Sequence, residues 1–171
     1  YGQTVTGRYA ARDPNLMAIP KHSPESKQLR NCFVAGPGKV LVAWDLSQIE
    51  MRVLAHVSQD PEMLRIFWAG EDTHTSTAMQ VFQMTREQVE ADPNTFRQPM
   101  KQTGFGIVYG IGAQGLYTGL DRLLPGKFTL DQCGDFIKMY LDARPGVRQY
   151  MQDTIAEARR TGAVRDMFGR R

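Results

Sequence analysis

The amino-acid sequence predicts a mixed α/β fold that is predominantly helical. An unbroken run of apolar and β-branched residues over 39–44 follows a Gly-Pro-Gly turn, which is typical of a buried strand. Helical spacing or helix caps recur through most of the chain from 49 to 160. Because 171 residues with 42% hydrophobic side chains can form one sizeable core or two small lobes, we expect a small sheet fragment and a larger helical lobe.

The first 35 residues predict an extended, loop-rich segment, because turns such as Asp13-Pro14-Asn15 disfavour any long helix. The predicted strand, Lys39–Trp44, then ends at Asp45. The spacing of the apolar residues that follow predicts a helix with Glu50 in its first turn. The sheet fragment is therefore expected to carry Asp45.

Apolar spacing and helix caps predict further helices along the chain. A capping box at Thr129–Gln132 marks the start of one of them, and Pro145 can occupy the first turn of the next, which stops at Gly162. The predicted helices cover Pro61–Trp68, His74–Phe82, Thr85–Ala91, the segment from the capping box to Arg144, and 145 to about 160. A new extended segment is expected from Ala163.

Charge, cysteine content and hydropathy limit the function classes. The net charge of +3 and the pI of about 9.0 permit contact with phosphate but do not demand it. Basic residues cluster near both ends, at Arg8, Arg12, Lys21, Lys27 and Arg30 and at Arg159, Arg160, Arg165, Arg170 and Arg171. Each cluster is consistent with a solvated face or with nucleic-acid contact.

Cys32 and Cys133 are far apart and lack metal-ligand neighbours, which predicts two buried small residues rather than a disulfide or a zinc site. No apolar run approaches the roughly 20 residues needed to span a bilayer. We therefore expect no membrane partner and a cytosolic setting.

The segment Asp45–Glu50 sets two carboxylates where the predicted strand gives way to a helix. A carboxylate at the end of a strand is held rigidly and suits a hard cation such as Mg²⁺, which could dock a triphosphate. The alternative is that Asp45 is an ordinary turn or N-cap residue. The functional interpretation thus needs partners elsewhere in the chain.

Such partners are found in a row of residues spaced four apart, Arg97, Lys101, Phe105 and Tyr109. On a helix they form one stripe roughly 18 Å long that drifts by about 40° per step. Two cations at one end and two aromatic rings at the other fit a nucleotide laid along the helix. The alternative is a basic surface patch beside two core aromatics.

Three glycines, Gly104, Gly106 and Gly110, interrupt this helix at a cost of about 1 kcal/mol each relative to alanine. A close backbone approach or a bend is expected to offset that cost. Pro99 disfavours helical geometry at the preceding residue, which favours a position for Arg97 before the regular helix.

Taken together, these segments resemble the polymerase domain of the DNA polymerase I family, also called family A. Asp45–Arg52 resembles its motif A, and the pattern from Arg97 to Gly110 resembles its motif B. Two further segments are similar to the family, and the resemblance covers nearly the whole chain. They are Thr6-Gly7-Arg8 with Asp13–Leu16 and Ile19-Pro20, similar to the junction of thumb and palm, and Gly70–His74, similar to the fingers before motif B. Leu46 and Gly104 depart from the usual aromatic and asparagine.

The resemblance implies a right-hand polymerase fold, with a partial palm over 1–57, fingers over 58–160 and the start of the return to the palm over 161–171. It also implies template-directed addition of deoxynucleotides from dNTP to the 3′ end of a DNA primer, in replication or repair, in bacteria, phage or organelles. The implied partners are a DNA primer-template and dNTP, and the complete enzyme is expected to be monomeric. Its location would be the cytoplasm or an organellar matrix.

The resemblance assigns the chemistry to a few residues. Asp45 and the carbonyl of Leu46 would bind metal, with two Mg²⁺ ions in the complete enzyme. His74, Arg97 and Lys101 would grip the triphosphate, and Lys101 is the expected proton donor to pyrophosphate.

The remaining assignments concern the sugar, the base and the duplex. Phe105 would pack on the incoming nucleotide, and Tyr109 would lie against the template base. Arg8 would reach the minor groove of the primer duplex, and Asn15 and Gln48 would contact the DNA nearby. Gln48 is also expected to line the dNTP site.

Glu50 would exclude the ribose 2′-hydroxyl and so select dNTPs over rNTPs. The family also needs a second metal-binding Asp from a His-Asp-Glu motif, and that tripeptide does not occur between Tyr1 and Arg171. We therefore expect this chain alone not to polymerise. An alternative from a different class is a non-catalytic nucleic-acid-binding module, whose binding would be insensitive to Mg²⁺ and to the identity of the nucleotide.

Overall fold

The computed structural model describes residues 2–4, 7–20 and 23–171, with the backbone alone at Gln102. The chain divides into two compact units, a first unit, Tyr1–Leu46, and a second unit, Ser47–Arg171. Helices predominate and the described strands are short, so the predicted fold class is confirmed. Thr6 of the motif resemblance and Lys21 of the basic cluster lie outside the described residues.

The first unit contains little regular structure, as its turn-forming residues predict. Strands β1 (Gly2–Gln3) and β2 (Tyr9–Ala10) pair antiparallel, with Gly2 opposite Ala10 and Gln3 opposite Tyr9. A single 3₁₀ turn covers Leu16–Ala18, and helix α1 covers Pro24–Asn31. The described sheet is therefore a two-stranded hairpin near the start of the chain.

The strand predicted over Lys39–Trp44 is wrong, and so is the expectation that the sheet carries Asp45. The segment is irregular, and Val40, Val42 and Trp44 are about 80% exposed. A strand is stabilised by backbone hydrogen bonds to a neighbour and by burial of its side chains, and within the described ranges no segment pairs with this one. The apolar run alone is therefore not enough to form a strand here.

Helix α1 was not expected, although its start is readable in the sequence. Ser23 is the N-cap, accepting a hydrogen bond at 3.2 Å from the backbone N–H of Ser26, and Pro24 occupies the first turn. Serine followed by proline at this place is a recognised helix start. Cys32 follows the helix and is exposed, so its predicted burial is wrong, whereas Cys133 is fully buried as predicted.

The second unit is helical from its start. Its helices are α2 (Ile49–Ser58), α3 (Pro61–Trp68), α4 (Thr73–Phe82), α5 (Arg86–Ala91), α6 (Arg97–Val108), α7 (Ala113–Leu123), α8 (Leu130–Asp142) and α9 (Pro145–Thr161). Seven of them, all except α7, match the predicted elements to within a few residues. The capping box at Thr129 and Gln132 is present, and Gly162 ends α9 in the left-handed conformation.

Helix α7 was missed because two glycines, Gly115 and Gly119, weaken its helical signal. Its Leu116 and Leu120 are almost fully buried, so packing outweighs propensity here. None of the described helices combines the length and apolar character that a membrane span requires.

Two clusters of buried side chains form the core of the second unit. One contains Ala78, Val89, Met100, Leu116, Leu120 and Cys133. The other contains Met51, Leu54, Ala55, Met63 and Val147. Because helices α4 and α6 pack closely together, the N-terminal ends that carry His74 and Arg97 are held on a buried framework.

A buried carboxylate fastens the start of α9 to the start of α3. Asp60 is fully buried, and its two oxygens accept hydrogen bonds from the backbone N–H groups of Met63 at 3.0 Å and Gly146 at 2.9 Å. A Cβ at Gly146 would lie 2.8 Å from the Asp60 Cα, so only glycine allows this approach.

Candidate functional site

The N-terminus of α4 is the point where several predicted site residues meet. Asp72 caps this helix, with its Oδ1 accepting hydrogen bonds from the Thr75 backbone N–H at 2.8 Å and the Thr75 hydroxyl at 3.0 Å. Gln48, at the start of α2, accepts a hydrogen bond from the Thr73 hydroxyl at 2.7 Å. The hydrogen bond between Gln48 and Thr73 thus joins the start of α2 to the start of α4. The cap by Asp72 gives a partner to an N–H group that has none within the first turn of α4.

Arg97 forms a two-point ion pair with Asp72. Its Nε donates to Oδ1 at 3.0 Å and its Nη2 donates to Oδ2 at 2.8 Å. Burial opposes ionisation of Asp72, but the hydrogen bonds from Arg97 and from Thr75 outweigh it and lower the pKa of Asp72 to about 2. The pair therefore stays ionised at neutral pH.

Arg97 is the first residue of α6, so the expectation that it precedes the regular helix is wrong. Pro99 is the third residue of the helix, where the backbone N–H has no intrahelical acceptor. A proline at this position therefore costs no helical hydrogen bond.

His74 lies in the first turn of α4 and is only 2% exposed. Its ring centroid is 5.6 Å from that of Phe105 on α6, with the two planes inclined by 45°. Burial lowers the pKa of His74 to about 4; Asp72 opposes this shift, and the cations Arg97 and Lys101 add to it. The imidazole is thus neutral at pH 7.

The rest of the predicted stripe follows α6 to its end. Lys101 is exposed and Phe105 is half-buried against His74. Tyr109 is the residue that caps the C-terminus of α6, and it is 70% exposed. The structure therefore places the cations toward the N-terminus of the helix and the aromatic rings toward its C-terminus, as the spacing predicts.

The glycines of this helix serve close packing and chain reversal. A Cβ at Gly106 would lie 3.1 Å from Cγ2 of Ile111, and a Cβ at Gly104 would lie 3.4 Å from Cε of Met51. Gly110 has a φ of +81°, which favours glycine just beyond the helix end. The expected close approach is thus found at Gly106, whereas a Cβ at Gly104 would make only an ordinary van der Waals contact.

The predicted site residues are divided between the two units. Glu50 lies exposed in the first turn of α2, in the second unit with Gln48. Four predicted residues belong to the first unit, where each is exposed: Arg8, Asn15, Asp45 and Leu46. Sequence reasoning missed Asp72 and Thr73, although an aspartate just before the His74 helix is a readable N-cap signal.

Comparison with known proteins decides the family. The model of DNA polymerase family A matches residues 2–171. The chain belongs to DNA polymerase family A. This confirms the resemblance drawn from the two motifs.

Relatives in the family include two bacterial enzymes. The chain is 41% identical over 168 residues to the thermostable DNA polymerase I of Thermus aquaticus, covering 98% of this chain and 19% of that one. It is 40% identical over 168 residues to DNA polymerase I of Rhizobium leguminosarum, covering 98% of this chain and 16% of that one. The chain thus spans less than a fifth of the length of these two relatives.

A solved structure is also similar, the POL domain of Pol1 from M. smegmatis in complex with DNA primer-template and dNTP. It is 34% identical, with a TM-score of 0.82 over 97% of this chain and 28% of that chain. The family A fold is therefore shared with a polymerase domain that holds both substrates.

The described residues do not complete a magnesium site of the kind the family implies. Mg²⁺ prefers near-octahedral oxygen coordination, and one or two carboxylates usually contribute to it. In the described ranges, no three His, Cys, Asp or Glu side chains are grouped as metal ligands. The predicted ligands are the single carboxylate of Asp45 and the carbonyl of Leu46.

Proposed function

We propose that this chain carries the dNTP-binding surface of a DNA polymerase that extends a primer 3′ end under the direction of a template. The observation that carries the proposal is the grouping of two α6 side chains around the first turn of α4: the cation Arg97 pairs with the N-cap Asp72, and the Phe105 ring lies against the neutral His74. The family assignment and the substrates in the M. smegmatis complex support it.

The cations would bind the triphosphate. Arg97 and Lys101 are about one turn apart on α6, roughly 6 Å along the axis, so both long side chains can reach the oxygens of one triphosphate. Charge-assisted hydrogen bonds from guanidinium and ammonium groups to phosphate oxygens are stronger than neutral ones. They would also stabilise the negative charge that builds on the leaving pyrophosphate, with Lys101 as the proton donor.

The neutral imidazole of His74 would complete this surface. A neutral ring carries one N–H donor and adds no further charge beside Arg97 and Lys101. Phe105, held against His74, would present an apolar face to the sugar and base of the incoming nucleotide. The exposed Tyr109 would lie against the template base.

The remaining assignments are proposed from the motif matches. Glu50, in the first turn of α2, would exclude the ribose 2′-hydroxyl. Gln48 uses its Oε1 to hold Thr73, which leaves its amide NH₂ for DNA. In the first unit, Arg8 and Asn15 would contact the duplex.

Magnesium binding is proposed for a complete polymerase that contains this chain. When bound, Mg²⁺ would supply Lewis-acid stabilisation of phosphate oxygens, with Asp45 and the carbonyl of Leu46 among its ligands. Because a single carboxylate does not fix two ions, we propose that this chain alone does not polymerise. We also propose that the complete polymerase is monomeric and acts in the cytoplasm of a bacterial or phage-infected cell or in an organellar matrix. The bacterial relatives support the bacterial cytoplasm among these locations.

The test is primer extension by a complete polymerase that contains this chain. Lys101→Ala should lower kcat/KM for dNTP by about 100-fold or more, because it removes a positioned charge from the transition state. Lys138→Ala, which removes an exposed lysine on α8, is the matched control and should leave kcat/KM unchanged. Equal effects of the two substitutions would contradict the proposal.

A further inference from the structure

We propose that Asp72 is a positioning residue that fixes the guanidinium of Arg97 in the orientation needed to receive the triphosphate. The inference rests on the proposed function, because it takes Arg97 as a triphosphate ligand. It assigns a role to a residue outside both motifs, which sequence reasoning did not select.

The geometry of the ion pair supports this role. Asp72 accepts two hydrogen bonds from one edge of the guanidinium. Its Oδ1 lies 3.0 Å from Nε of Arg97, and its Oδ2 lies 2.8 Å from Nη2. A guanidinium has five N–H donors in one plane, so three remain, two on Nη1 and one on Nη2. With one edge clamped, the plane is fixed and these three donors point in fixed directions.

Asp72 is itself immobilised, which makes it a suitable clamp. It accepts two hydrogen bonds from Thr75 and is the N-cap of α4, while the next residue, Thr73, is held by Gln48. A free arginine side chain samples many rotamers, and ordering it on binding would weaken the affinity for nucleotide. Asp72 orders Arg97 before the nucleotide arrives.

Asp72 also balances charge at the site. Its carboxylate is 24% exposed and lies against Arg97, whose side chain is 34% exposed. Loss of that negative charge would leave Arg97 free to turn toward solvent. Removing the charge of Asp72 makes the site more positive, which by itself would favour the binding of a triphosphate. We nevertheless expect the affinity for dNTP to fall, because Arg97 loses its fixed orientation.

Asp72 could instead have a purely structural role as the N-cap of α4. Substitutions can distinguish that role from the orientation of Arg97. Asparagine caps helices about as well as aspartate, so Asp72→Asn keeps the cap to Thr75 and removes the charge from the clamp. Arg97→Lys keeps the cation and removes the planar fork. If Asp72 serves only as a cap, Asp72→Asn should leave kcat and KM for dNTP unchanged.

The experiment is single-nucleotide incorporation by a complete polymerase containing this chain, with kcat and KM for dNTP measured separately. The variants are Asp72→Asn, Arg97→Lys, Arg97→Ala and the double variant Asp72→Asn with Arg97→Ala. The control is Asp142→Asn, which breaks the ion pair with Arg148 on α8 and α9. Thermal unfolding is followed for every variant.

We expect Asp72→Asn and Arg97→Lys each to raise KM for dNTP by about 10-fold, with little change in melting temperature. The double variant should be no worse than Arg97→Ala alone, because the clamp has no purpose without the arginine. Asp142→Asn should match the unsubstituted enzyme.

Two results would overturn the inference alone: an unchanged KM for Asp72→Asn while Arg97→Ala is impaired, or a double variant whose loss equals the product of the single losses. If Arg97→Ala itself leaves both KM and kcat unchanged, the role proposed for Arg97 fails and the inference fails with it.

Discussion

The second unit holds its predicted site residues on packed helices, whereas in the first unit Asp45 lies in an irregular and exposed segment. His74 is almost fully buried, and Arg97 is fixed by two hydrogen bonds to Asp72. The segment before Asp45 instead exposes Val40, Val42 and Trp44. Local helix packing is therefore enough to organise a cationic and aromatic surface. The placement of a carboxylate at a strand end depends on partner strands.

The largest effect on activity is expected from a substitution of Asp45 in the first unit. Asp45→Ala in a complete polymerase should lower the rate of primer extension by at least about 100-fold, since charge stabilisation of this kind is worth several kcal/mol. Binding of primer-template, measured by fluorescence anisotropy, should persist. Asp135→Ala, which removes an exposed carboxylate on α8, is the control. A parallel loss of DNA binding would mean that Asp45 supports the fold rather than the reaction.

The burial of His74 in the second unit predicts how the free energy of unfolding depends on pH. Because its pKa is lowered to about 4, the unfolded chain binds more protons than the folded one between pH 4 and 6.5. The free energy of unfolding should therefore fall by about 3 kcal/mol as pH drops through this window and should lose no more below pH 4 from this group. Asp72 stays ionised there, since its pKa is about 2.

Urea unfolding of the 171-residue chain at a series of pH values measures this slope. His74→Gln should remove its contribution, whereas His56→Gln, at an exposed histidine on α2, should leave it in place. Identical slopes for the two variants would show that His74 is not buried in its neutral form.

Packing in the second unit can be broken with a single methyl group. Gly146→Ala places a Cβ 2.8 Å from the Asp60 Cα and 3.0 Å from the Ser58 carbonyl oxygen, so we expect a loss of about 1–3 kcal/mol in stability. Gly119→Ala, in the interior of α7, meets no atom within 4 Å and should stabilise by about 0.5–1 kcal/mol. Thermal unfolding of both variants checks the pair. Equal shifts would contradict the close approach at Gly146.

The smallest expected effect concerns Glu50, just after the boundary between the units. Glu50→Gly in a complete polymerase should raise ribonucleotide incorporation relative to deoxynucleotide by about 10-fold, because it removes the proposed steric barrier. Glu50→Gln keeps the shape and removes the charge, so it should retain most of the discrimination. Unchanged selectivity in Glu50→Gly, measured by single-nucleotide incorporation, would remove this role.

The sequence was informative wherever local rules decide the structure. The caps at Thr129 and Gly162 and the four-residue spacing from Arg97 predicted helices that the structure contains. The strand over 39–44 was wrong because its stability depends on a partner outside the segment. Helix α7 was missed because burial of its leucines, which composition does not reveal, outweighs its glycines.

The candidate site was predictable in its residue types but not in its contacts. Spacing alone grouped Arg97, Lys101 and Phe105 on one helix. The ion pair between Asp72 and Arg97 joins residues 25 positions apart, and only the packing of α4 against α6 brings them together. The neutral state of His74 likewise follows from burial, which sequence does not give.

The central claim is that Arg97 and Lys101, with His74 and Phe105, form one surface for the incoming nucleotide. A crystal structure of a complete polymerase containing this chain, bound to primer-template and dNTP, tests it most directly. We predict triphosphate oxygens within hydrogen-bond distance of both Arg97 and Lys101, with the ring of Phe105 against the nucleotide. A triphosphate bound elsewhere, with both cations free of phosphate, would contradict the claim.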